Sequence, residues 1–259
     1  MFDRFGHRSS RFGELVVGGL PTSGDRGYSF IGRASRNLKA RAIALRDTTI
    51  PPMEFGSILG RDFYDRPCLE VAPGLVGAIL CRRLPSGQLL AGRIVEVEAY
   101  LGAGRDPASH AHKGPAPRNR SMFGPPGRLY VYRSYGVHLC MNLVCEAEGE
   151  GAAVLLRAVE PLAGIDVMRG HRGLRDEQGD RLIAAGPGRL TEALGIGIEL
   201  DGRSVTRGET VVRRAGEGGA GDTAVTTNVR ASQRIGISKA VARPYRFTAA
   251  DSKWLSRRT

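Results

Sequence analysis

Arg93-Ile94-Val95-Glu96-Val97-Glu98-Ala99-Tyr100 reads as a β-strand, rich in β-branched residues and free of Gly and Pro. Strict alternation places Val95, Val97 and Ala99 on one face and Ile94, Glu96, Glu98 and Tyr100 on the other. One apolar face opposite an acidic one suits an antiparallel sheet packed on one side, and such a strand can simply be solvated on the other. Two carboxylates beside an aromatic ring also suit a general base held next to a ring that stacks on a nucleobase.

On either side of this strand the same texture continues. Leu75–Arg82, Gln88–Tyr100, Leu129–Arg133, Val137–Cys145 and Ala152–Val159 are predicted strands. Gly164–Arg172 and Arg189–Leu194 are the candidate helices, the second introduced by Gly186-Pro187-Gly188 and stopped at Gly195. Residues 201–230, rich in Gly and mixed in charge, are expected to form a long surface excursion. The pattern predicts the α+β class: a single globular unit with an antiparallel or mixed sheet and helices at the periphery. Residues 1–53 carry Arg, Ser and Gly clusters with little apolar periodicity and end at Ile50-Pro51-Pro52. They are expected to be a basic, disordered arm, apart from a short helical stretch near Leu38–Leu45, with the ordered domain over 54–259.

The chain has 259 residues, of which 38 are Lys or Arg and 26 Asp or Glu, a formal net charge of +12. That excess suits attraction to phosphates, whether of nucleic acid, a membrane surface or another polyanion. There is no apolar run of transmembrane length and no secretory leader pattern, so a cytoplasmic location is expected, at the nucleoid in a bacterium, with no membrane partner. Cys68, Cys81, Cys140 and Cys145 lack paired spacing and are read as reduced thiols. His138, Cys140 and Cys145 match no common zinc pattern, and no metal or other cofactor is expected.

Three further segments carry chemistry. Pro107–Lys113 and Pro117-Arg118-Asn119-Arg120 form a polar, Pro-interrupted loop after the acidic strand, with Arg118 and Arg120 as phosphate contacts. Leu129–Asn142 reads as a hairpin turning at Ser134-Tyr135-Gly136. A tyrosine at that tip can unstack DNA as a wedge, or pack back on the sheet as core. Arg157, inside the apolar run Val154–Val159, needs a buried partner, and Glu98 and Glu160 are both candidates.

Taken in order, the 93–102 strand, Pro117–Arg120 with Met122-Phe123, the Tyr130–Asn142 hairpin, Leu155–Pro161, Gly186–Leu190 and Arg234–Ile237 closely resemble the alkyladenine (3-methyladenine) DNA glycosylase family. The resemblance runs from about residue 57 onward and implies a single compact domain around a curved antiparallel sheet with a protruding β-hairpin and peripheral helices, and a monofunctional, metal-free enzyme. Such an enzyme flips damaged purines (3-methyladenine, 7-methylguanine, hypoxanthine, ethenoadenine) out of double-stranded DNA and hydrolyses the N-glycosidic bond, leaving an abasic site. It is expected to act as a monomer. Glu98 is implied as the base that activates water, with Arg157 and the backbone carbonyl of Ile235 helping to hold that water. Tyr100, His110 and Tyr132 are implied to sandwich the flipped base, with the His110 amide reading the purine six-position. Asn142 is implied to exclude guanine's exocyclic amine, and Tyr135 to fill the vacated stack. Tyr245–Trp254 departs from the family by lacking its Gly-Ser-Pro turn, which bears on the terminal packing. Two other classes fit parts of the pattern: an inert binder of damaged nucleic acid, and a carbohydrate glycosidase using Glu96 and Glu98 at the ~7 Å spacing of strand i, i+2 positions. A carboxylate in a basic site argues against the first, and the charge and the tyrosine-tipped hairpin against the second.

Overall fold

The longest strands, β2 (Leu89–Tyr100) and β5 (Ala152–Ala163), pair antiparallel at the centre of an all-antiparallel sheet. The computed structural model describes residues 55–216 and 228–257. The arm assigned to 1–53, with its helical stretch near Leu38–Leu45, lies outside them, as does the middle of the 201–230 excursion. The sheet runs β3-β4-β5-β2-β1-β6, with β1 at Ile79–Arg83, β3 at Leu129–Ser134, β4 at His138–Cys145 and β6 at Thr210–Arg213. Beyond β1, the second half of β2 takes β8 (Arg246–Ala249), which pairs in turn with β7 (Val229–Ser232). The helices are α1 (Arg61–Tyr64), α2 (Cys68–Leu75), α3 (Ile165–His171), α4 (Arg181–Ala184) and α5 (Pro187–Ala193). With the curled antiparallel sheet they make the expected mixed single domain. Among the described residues no helix is long and apolar enough to cross a membrane.

One face of the sheet is closed by helices. Leu80, Leu90, Ile94, Val97, Met141, Leu143, Val154 and Leu156 meet Val71 and Leu75 of α2, Met168 of α3 and Leu190 of α5 in one buried core. Each fully buried Leu or Ile contributes about 1.5–3 kcal/mol, an upper figure because the unfolded chain already buries some of this surface. The opposite face of β2, β3, β4 and β5 carries the polar and aromatic residues of the site.

Strict alternation fails in β2. Val95 and Arg157 are each skipped in the register, since Ile94 pairs with Val159, Glu96 with Ala158 and Val97 with Leu156. An extra residue on each strand turns the side chains that follow. Ile94 therefore shares the helical core with Val97 and Ala99, while Val95 packs with Ala158 and Leu255 beyond the opposite face. The expected grouping of Val95 with Val97, and of Ile94 with Glu96, is thus corrected. The two skips also bring Glu96 and Arg157 together.

Other boundaries differ for local reasons. Leu75–Ala78 is the end of α2 and the turn after it, not strand. Cys68, Val71, Ala72 and Leu75 have helical i, i+3, i+4, i+7 spacing, which Pro73-Gly74 disguises. The strand after Gly151 runs on through Pro161 to Ala163. The 201–230 excursion includes β6, paired on β1. At the start of α5, Gly186 has φ 136°, and a Cβ on Gly188 would lie 3.0 Å from His138 Cβ, so this Gly-Pro-Gly lets the helix back closely onto the hairpin strand.

Candidate active site

A cavity of about 1080 Å³ opens on the polar face of the sheet. Tyr100, His110, Tyr132, Asn142, Arg157 and Ile235 line it, together with Arg118 and, at its edge, Tyr135. Seven of the ten residues singled out in the sequence therefore share one concavity with Tyr135. Arg120 is exposed on the neighbouring 3₁₀ turn Pro117–Phe123, outside the lining. Glu98 is fully buried, immediately beneath Tyr100, Arg157 and Ile235.

Glu98 accepts three hydrogen bonds: from the Tyr100 hydroxyl (2.9 Å) and Arg157 Nη1 (3.1 Å) on Oε2, and from the Ile235 amide (2.7 Å) on Oε1. An ionised carboxylate has about four acceptor positions, so one on Oε1 is left over. Ile235 thus meets Glu98 through its N–H. Arg157 spans both carboxylates, with Nε on Glu96 Oε1 at 2.9 Å. Of the two partners read from sequence, Glu98 is used and Glu160 is not: Glu160 sits opposite Arg93, 3.5 Å away near the surface. Glu96, wholly buried, was missed as a partner because alternation leaves it indistinguishable from a solvated residue.

Burial alone pushes the Glu96 carboxyl up. The hydrogen bond from Arg246, the Arg157 and Arg246 charges and the Ser256 hydroxyl outweigh this and hold it below its ordinary value. Arg157 is likewise opposed by burial, but Glu98 and Glu96 raise it, so it stays charged. Asp106, also buried, is depressed by the hydrogen bond and charge of Arg234 and by the Ala108 and Leu101 amides. Arg234 grips Asp106 through Nη1 and Nη2, at 2.5 and 2.9 Å, and its guanidinium lies 4.6 Å above the Tyr100 ring. One face of Tyr100 is therefore covered, its hydroxyl is fixed on Glu98, and the Arg234–Ile237 segment is tied to the loop after β2.

The aromatic wall is built around Tyr130. It is buried, stacks on Tyr132 with ring centres 5.3 Å apart, and meets His110 Nδ1 through its hydroxyl at 2.9 Å. His110 and Tyr132 meet edge to face at 4.6 Å. Partial burial, with Arg118 nearby, lowers the His110 pKa and favours a neutral imidazole. Asn119 organises this loop from within, donating to the His110 carbonyl (2.8 Å) and the Gly114 carbonyl (3.2 Å) and accepting from the Ala116 amide (2.6 Å). The His110 amide finds no acceptor among the described residues. Asn142, opposite Tyr130 in the β3–β4 ladder, donates to the Tyr130 carbonyl at 3.0 Å, which fixes its carboxamide.

Tyr135 is 92% exposed and, although not glycine, has φ 48° next to Gly136 at φ 71°. Both central turn residues take the left-handed region, as the mirror-image hairpin turns require, closed by Val137 N–H to the Ser134 carbonyl at 3.1 Å. The core alternative for Tyr135 is excluded. All four cysteines are free thiols. Among the described residues no three of His, Cys, Asp and Glu converge as metal ligands.

Residues 62–253 match the model of the methylpurine-DNA glycosylase family. An inferred 3-methyladenine DNA glycosylase of Rhodopseudomonas palustris is 47% identical over 206 residues, 80% of this chain and 93% of that protein. One from Nitrobacter winogradskyi is 47% identical over 207 residues, 80% of this chain and 90% of its own. A relative from Methanoculleus marisnigri, with the same name, is 45% identical over 196 residues, 76% of this chain and 97% of its own.

Proposed function

Because the chain belongs to the methylpurine-DNA glycosylase family, and is thereby a DNA-binding glycosidase of base-excision repair, we propose that it flips damaged purines into the aromatic cavity and releases them with water activated by Glu98. The observation that carries this reading is the setting of Glu98: three protein donors hold it, and one acceptor position remains beneath a cavity walled by tyrosines.

Extruding a base costs about a few kcal/mol, less when the base is damaged or mispaired, so selection starts before chemistry. Inside, Tyr132, stacked on Tyr130, offers one wall, and Tyr100, stiffened by Arg234 and Glu98, another. A purine alkylated at N3 or N7 is cationic, which favours it between electron-rich faces and makes it a better leaving group. Glu98 takes a proton from the attacking water while its charge opposes the positive charge developing on the sugar. Water supplies the hydroxyl that stays on the sugar carbon, and the purine departs with the bonding pair. The Ile235 carbonyl, in the segment whose amide binds Glu98, is suited to accept from that water. The His110 amide is a free donor for the purine six-position, and Asn142, held by the Tyr130 carbonyl at the cavity wall, is the side chain to crowd an exocyclic amine at position two.

Arg118 and Arg120, with Lys113, Arg133 and Lys239 at the cavity, supply phosphate contacts for a monomer on duplex DNA. Residues 54–259 form the catalytic domain in this reading, and 1–53 a basic tether. Purified protein should create alkali-labile abasic sites in duplexes carrying 3-methyladenine, 7-methylguanine, hypoxanthine or ethenoadenine. Binding to those duplexes without base release from any would favour the inert binder.

A further inference from the structure

Arg157 does not grip Glu98 in the two-pronged way that guanidinium and carboxylate favour. Its Nε goes to Glu96 at 2.9 Å, its Nη2 lies 3.4 Å from Ser256 Oγ, and only Nη1 reaches Glu98. Glu96 is anchored in turn by Arg246 Nε (2.8 Å), Ser256 Oγ (2.7 Å) and the Ser256 amide (2.6 Å). Arg246 is fixed by the Ser232 hydroxyl (3.0 Å) and the Arg257 carbonyl (2.7 Å). The carboxylate behind the site is therefore braced from β7, β8 and the C-terminal tail, and it restrains the arginine in front of it. The tail reaches this position without the Gly-Ser-Pro turn: Ser252 Oγ accepts the Trp254 amide, and Leu255 is buried against Val95 and Ala158.

We propose that Glu96 is a positioning residue, which holds the Arg157 guanidinium so that it gives Glu98 one hydrogen bond rather than two and leaves the remaining acceptor position of Glu98 open. Freed from Glu96, Arg157 could turn a second N–H onto Glu98 Oε1 and occupy the position from which the base takes a proton. The inference rests on Glu98 being that base.

The test is a cycle of single-turnover base release and duplex affinity for Glu96→Gln, Arg157→Lys and the double variant. Lysine keeps the charge but cannot fork. Glu96→Gln should slow base release about tenfold or more with affinity within about threefold, yet cost less than about twofold in the Arg157→Lys background, because neighbours acting through one another are non-additive. Equal losses in both backgrounds would mean a merely structural role and overturn the proposal. Should Glu96→Gln not fold, Glu96→Asp keeps the charge but shortens the reach. It should lose about threefold or more in rate at unchanged affinity, and a wild-type rate would overturn the proposal. Glu98→Gln, run in parallel, separates the two ideas. Retained activity there sinks the reading of the site, whereas its loss beside unaffected Glu96 variants sinks only this inference.

Discussion

The tip of the hairpin and the floor of the cavity store cost in opposite ways. At Tyr135 the chain accepts a left-handed backbone on a non-glycine residue and a large ring left in solvent, worth about 1–3 kcal/mol of strain. Beneath the cavity it accepts four charged groups out of water, Glu96, Glu98, Arg157 and Arg246, made tolerable because their charges cancel and each is hydrogen-bonded. The tip has almost nothing packed on it, so a change there acts on what it meets. The floor is fully interlocked, so a change there acts on the fold as well. Functional roles at the two places are therefore separable by asking whether activity and stability fall together.

The largest coupled effect is expected for Arg157→Ala, which takes from buried Glu98 its one cationic partner and leaves Glu96 with Arg246 alone: stability should fall by about 3–5 kcal/mol, with base release lost as well. Denaturant melts check this, and a loss below 1 kcal/mol would mean that the cluster is far wetter than its burial implies. Acid should act on the same region. Glu96 and Asp106 both have folded-state pKa values lowered from the ordinary 4.5 and 3.8. The unfolded chain then binds protons more readily, so their contribution is complete above those ordinary values and lost as pH falls through the depressed ones. Melts across that range should show stability declining below about pH 4.5, the decline reduced in Asp106→Asn.

The tip should behave in reverse. Tyr135→Ser is expected to leave the thermal midpoint in place while slowing excision of a stably paired hypoxanthine about tenfold, and that of a mismatched one much less. Equal slowing on both would remove the wedge role. The smallest effect belongs to Asn142→Ser, between the two regions. It should raise the ratio of guanine to hypoxanthine release by about a few-fold, because a smaller side chain relieves the crowding at an exocyclic amine. An unchanged ratio would take Asn142 out of specificity.

The tip was legible in the sequence, since Ser134-Tyr135-Gly136 between alternating runs is a local signal that needs no tertiary partner. Most of the floor was not. Arg157 stood out as a charge in an apolar strand, and Glu98 was distinguished by the family resemblance, but Glu96 could not be told from a solvated carboxylate. Two register skips decide that question, and they exist only where β2 and β5 meet. Arg246, Ser256 and the Asp106–Arg234 grip join residues more than a hundred positions apart in the chain and have no local pattern. The short strands β6, β7 and β8, four residues each, lacked the length to show a period. Helix α2 had the period, but Pro73-Gly74 masked it.

The central claim is that Glu98 does the chemistry while the aromatic cavity does the binding. Its most direct test is Glu98→Gln, which keeps the size of the side chain and removes its capacity to take a proton. Single-turnover release of hypoxanthine from a saturated duplex should fall by about 10²–10⁴-fold with affinity for that duplex within about tenfold. Base release within about threefold of the unaltered protein, from a variant that binds as well and melts at the same temperature, would contradict the account.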